Sequence, residues 1–140
     1  MKSLFISSFV LFCAFSINAQ TTCEKLSAAY NAEELAKIEN PGYQCFIANQ
    51  GYLVNAMGNK DLNGYPDIST LMPRKAGVEV LSGENFDQAT FNILNYHFQL
   101  NETSPTVYKI GDTGYTLFIQ SKVRMEVMYQ RHQANQNAIK

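Results

Sequence analysis

Histidine is scarce in this chain. Its 140 residues include two, His97 and His132. His97 stands in the aromatic run NYHF, the setting of a packed or partly buried imidazole, and His132 in a basic terminal stretch. No serine occupies a Gly-x-Ser-x-Gly elbow, and neither an HExxH pair nor a phosphate-cradling glycine loop is present. Glu33 and Glu34 are adjacent, so on a helix they do not face one another and read as surface charge. The enzymatic reading left open is a small hydrolase whose groups meet by geometry alone, such as two carboxylates across a cleft.

Positive charge is also sparse, with 11 Lys and Arg against 12 Asp and Glu. Nucleic acid needs a basic stripe, so it is not an expected partner. The charge is uneven, however. Residues 122–140 hold Lys122, Arg124, Arg131 and Lys140 against Glu126. A basic end can touch an acidic partner, and a solvated end is the plainer alternative.

Long apolar runs are confined to the start, MKSLFISSFVLFCAFSINAQ. A lysine, an apolar stretch from Leu4 to Phe15 and a short polar exit follow in the order of a secretory signal peptide, with cleavage expected after Ala19. The apolar stretch is short for a permanent anchor. No transmembrane segment is expected in the mature chain. Ala-Gln directly after a short apolar core fits a bacterial envelope protein, periplasmic or secreted. The expected division is a signal peptide over 1–19, one domain over 20–134 and a frayed tail over 135–140.

Of the three cysteines, Cys13 falls in the leader and Cys23 and Cys45 remain. In an oxidising compartment an isolated pair reads as one disulfide.

The mature sequence predicts a small α+β domain with a mostly antiparallel sheet. Capping boxes at Thr21/Glu24 and Asn31/Glu34 predict an N-terminal helix that is kinked or split, stopped by Asn40-Pro41-Gly42. Residues 43–57 read as strand with a turn near Asn49-Gln50-Gly51, 58–76 as a long loop and 77–82 as a short strand. Asn85 with Gln88 opens an expected middle helix through NFDQATFNILNYHF. Residues 106–120 read as two strands about Gly111-Asp112-Thr113-Gly114. Residues 122–133 suit strand or helix by periodicity. Ser121 as a cap, and the lack of room for a hairpin turn, favour helix.

One loop carries metal-like spacing. In GNKDLNGYPDIS, Asn59, Asp61 and Asn63 alternate, Gly64 supplies a sharp turn, Tyr65 offers a carbonyl and Asp67 follows. Calcium takes oxygens in this pattern. Thr70 stands where an EF-hand has a bidentate Glu, which argues against that hand. The run NKDLNGYPDI resembles the Asp-x-Asn-x-Asp-Gly-x-x-Asp calcium loops of integrin-type (FG-GAP) repeats and related extracellular modules. The resemblance implies Ca2+ held by Asn59, Asp61, Asn63, Tyr65 and Asp67. It covers about ten residues in a single copy, so only loop chemistry carries over. The same residues also build ordinary turns.

Tyr and Asn are frequent from Gln44 to Asp67, a chemistry suited to recognising proteins or polysaccharides. The function expected is a non-catalytic binding or interaction module. A calcium-stabilised binder of carbohydrate or protein and a small hydrolase are the alternatives.

Overall fold

The computed structural model describes residues 23–58 and 60–140. The expected signal peptide, Thr21 and Asn59 lie outside them. The chain is an α+β domain. Three short helices, α1 (Glu24–Ala29), α2 (Ala32–Ala36) and α3 (Pro41–Gln50), lead into strand β1 (Tyr52–Ala56). A long irregular segment follows. It is interrupted by 3-10 turns at Ile68–Thr70 and Ile93–Asn95. Strands β2 (Thr106–Lys109) and β3 (Tyr115–Ile119) and the helix α4 (Lys122–Ala138) complete it.

The N-terminal helix is split, as the caps predict. Asn31 accepts from the Glu34 amide and the Glu34 carboxylate accepts from the Asn31 amide, a reciprocal box that starts α2. α1 begins after Cys23, which makes no side-chain cap. Residues 43–50 are helix, not strand. Asn40 Oδ1 accepts from the Tyr43 amide at 3.0 Å and Pro41 occupies the first turn. Asn-Pro-Gly therefore starts a helix here, because Pro is pre-set for the position after an N-cap and its missing N–H costs nothing there. Cys45 lies on that helix, and its disulfide with Cys23 joins α3 to α1 at a Cα separation of 5.8 Å.

The three strands form one antiparallel sheet in the order β1-β3-β2. The central strand β3 buries Leu117 and Ile119 in a single core with Leu26, Ile47, Ile93, Leu94 and Met125. The β2–β3 hairpin turns through Gly111 and Gly114, both at positive φ. Gly111 also touches another segment: a Cβ there would stand 2.9 Å from Gly83 Cα.

The strand expected at 77–82 and the helix expected from Asn85 are absent. Both stretches are irregular. Asn85 turns its acceptor back to the Ser82 amide and donates to the Val80 carbonyl, so it closes a turn rather than opening a helix. Asp87 and Asn92 then accept from the amides of Ala89 and Leu94, two residues on in each case. His97, expected to be packed, is exposed.

Helix α4 starts at Ser121, whose hydroxyl accepts from the Arg124 amide. The carbonyls of Asn101 and Glu102 accept from the Lys122 and Val123 amides, satisfying two donors that have no partner inside the helix. Met125 is the helix's buried residue, and Tyr129 packs on Tyr43 and Phe46 of α3. The helix continues through Ala138, past the expected start of a frayed tail. Residues 131–140 are all exposed. Among the described residues no helix is long and apolar enough to cross a membrane.

Candidate functional site

Asp61 and Asp67 act within the backbone of their loop. Asp61 Oδ1 accepts from the Asn63 amide at 2.9 Å, a local turn. Asp67 Oδ1 accepts from the Ser69 amide at 3.0 Å and Oδ2 from the Gly111 amide at 3.2 Å. The Ser69 amide is the largest influence holding the Asp67 carboxyl below its ordinary range, with Gly111 and Lys109 adding to it. The Pro66 carbonyl accepts from the Lys109 amide, so this end of the loop lies along β2. Asn63 and Tyr65 are exposed. Among the described residues no group of three or more His, Cys, Asp or Glu converges as a metal site does.

The irregular segment from Met72 to Tyr96 is held by side chains that bond to distant backbone. Arg74 Nε donates to the Leu94 carbonyl at 2.7 Å and Nη2 to the Ala29 carbonyl at 2.8 Å, while its guanidinium lies 4.1 Å over the Tyr30 ring. Asn92 Nδ2 donates to the Lys25 carbonyl. Lys25 Nζ in turn donates to the Tyr52 hydroxyl, which donates to the Phe91 carbonyl. These bonds satisfy the peptide groups that a helix or sheet would otherwise pair.

So fixed, the segment borders two open hollows that share Asp87. One has a volume of about 230 Å³. Leu81, Phe91 and Tyr96 form its buried floor. Glu79, Asp87 and Thr90 stand at its exposed rim, with Asn85, Asn92 and Asn95 between. The Tyr96 hydroxyl donates to the Glu79 carbonyl at 3.2 Å. Burial, and then the nearby Glu79 charge, raise its pKa, so it stays a protonated donor. The second hollow is more apolar, about 360 Å³, between Val54, Phe86, Ile110 and Tyr115. Tyr115 is 48% exposed there.

The charged residues that line the first hollow, Glu79 and Asp87, are both acidic. Residues 76–96 contain Glu79, Glu84 and Asp87 and no Lys, Arg or His. Of the hollow's polar side chains, Asp87, Thr90 and Tyr96 bond to backbone, while those of Glu79 and Asn95 take part in no hydrogen bond among the described residues. Both carboxylate residues of the lining, Glu79 and Asp87, are exposed. His97 is exposed, and His132 stacks on Phe46 of α3 at 5.1 Å.

The sequence pattern marks none of these residues as a site, because the stretch reads as strand then helix and Asn85 reads as a helix cap. A usable signal was present. Asn85, Asp87 and Asn92 are turn-formers within eight positions, and no cation interrupts residues 76–96. Compared with protein-family models, curated proteins and solved structures, the chain has no match in any of the three.

Proposed function

We propose that this chain is a disulfide-bonded, extracytoplasmic, non-catalytic binding module that takes a neutral or cationic saccharide in the hollow over Phe91 and Tyr96. The observation that carries the reading is the amide- and carboxylate-edged hollow with an aromatic floor and no cation in its lining, which shares Asp87 with a more apolar one. Hydroxyl-rich ligands need donors and acceptors above an apolar surface. An anionic ligand would meet Glu79 and Asp87, the charged residues of the lining, both acidic. The signal-like leader and the Cys23–Cys45 bond support an oxidising compartment outside the cytoplasm.

The test is titration of neutral and amino-sugar oligosaccharides by calorimetry, with amide chemical shifts as a map. Saturable binding that shifts resonances of residues 79–96 is expected. Asn95→Ala, which removes a side-chain amide not used in any described internal bond, should weaken it about fivefold to tenfold, the worth of one hydrogen bond. Oligosaccharides that leave those resonances unmoved would remove the reading.

The calcium alternative rests on the exposed Asp61 and Asn63 at ligand spacing. Under the saccharide reading the thermal midpoint is the same in EDTA and in millimolar calcium. A calcium-dependent rise, lost in Asp61→Ala, would instead make the loop a metal-dependent element of the binder.

A further inference from the structure

The geometry points to the free edge of β1 as an interface for a second copy of this chain. β1 is bonded to β3 on one side. The Gly51 carbonyl accepts from the Gln120 amide and the Met57 amide donates to the Gly114 carbonyl, so residues 51, 53, 55 and 57 turn their backbone groups towards β3. Alternation then directs the N–H and C=O of Tyr52, Val54 and Ala56 away from it. None of those six groups has a hydrogen-bond partner among the described residues. Ala56 is exposed, as are Leu53 and Asn55 on the outer face of the sheet, and Tyr52 and Val54 are half-buried.

The occupant follows from symmetry and charge. The outward residues 52, 54 and 56 are centred on Val54. A second β1 laid antiparallel about a two-fold axis at Val54 pairs Val54 with itself and Tyr52 with Ala56. All six outward groups on each strand are then used and none is left over. Such a contact is isologous and closes at two copies. The strand YLVNA has no charge and no proline, two of the devices that protect an edge. The whole chain carries a net charge of −1, so two copies approach without strong repulsion. Leu53, 37% exposed, would be partly covered by its copy on the outer face. Five residues make a small contact, so the dimer is a concentration-dependent one.

The experiment measures mass by sedimentation from low micromolar to near-millimolar protein, with amide exchange at both ends of the range. The expected result is a mass that doubles, with exchange at Tyr52, Val54 and Ala56 slowing as it does. Leu53 and Asn55, paired to β3, should be slow throughout. Ala56→Pro deletes one outward N–H and leaves the β3 ladder intact, since proline is tolerated on an edge. It should stay monomeric with an unchanged unfolding midpoint. Ala56→Lys, a charge on the same edge, should do the same and serves if the proline variant does not fold. A mass that never doubles overturns the proposal, even if an unrelated peptide strand protects the edge. So does a dimer whose Tyr52, Val54 and Ala56 amides keep their monomer exchange rates.

Discussion

A methyl group added to Gly111 would stand 2.9 Å from Gly83 Cα, on a backbone whose φ is +51°. Two penalties coincide. The left-handed conformation costs an L-residue about 1–2 kcal/mol, and the contact with Gly83 is backbone on both sides and has no side chain that can swing away. Gly111→Ala is therefore expected to lower the unfolding free energy by more than about 1–2 kcal/mol in urea titrations. Gly64→Ala is the control: nothing lies within 4 Å of its Cβ and its φ is not positive. It should be neutral or slightly stabilising. Asp67 adds a dependence on pH. Its folded pKa lies below the ordinary 3.8, first through the Ser69 amide. The stability it contributes is fully present above the unfolded value and is lost as pH falls through the folded one. Urea midpoints followed from neutral pH into this acid window should drop less steeply in Asp67→Asn than in the parent.

Helix α4 divides into a docked half and a free half. Tyr129 meets Tyr43 and Phe46 at centroid distances of 5.1 and 5.4 Å, and His132 meets Phe46. Beyond that no residue is buried. Removing residues 133–140 should shift stability by no more than about 0.5 kcal/mol, as surface changes do. Tyr129→Ala should cost about 1–3 kcal/mol through its two aromatic pairs, read by thermal or chemical unfolding. Elements whose signals are local were legible in the sequence. They are the Asn31/Glu34 box, the glycine hairpin, the Ser121 cap and the Cys23–Cys45 pair. Illegible were those decided by distant partners. Asn40-Pro41-Gly42 has the same composition whether it ends one helix or begins another. Asn85 has a helix-capping pattern with Gln88, yet its carbonyl oxygen bonds backwards to Ser82. The hollow over Phe91 and Tyr96 depends on Arg74 and Asn92 reaching the backbone of α1, which no window of sequence contains.

Across the whole molecule, covalent and non-covalent ties are divided. The disulfide joins α1 to α3, while the segment from Met72 to Tyr96 is bound by side-chain bonds to backbone and by an antiparallel bridge of Pro73 with Tyr96. A loop closed over a separation of 22 residues restricts the unfolded chain by about 3 kcal/mol in the entropy model. The Cys23→Ser/Cys45→Ser double variant should lose about that much in denaturant. Its loss is expected to be global, with one transition, because α1 and the irregular segment share one core.

The strand order carries a consequence in time. β3 is the centre of the sheet and the last strand in the chain. Tyr52 must wait for Ile119, and Ala56 for Tyr115, before either has a neighbour. β1 is therefore made with both edges open, and the sheet closes only once the residues through Ile119 are available to it. Long-range pairing of this kind makes folding slow and leaves the nascent strand vulnerable to partners met too early. A chaperone that shields YLVNA until Ile119 arrives would speed the yield of folded protein without touching its final stability.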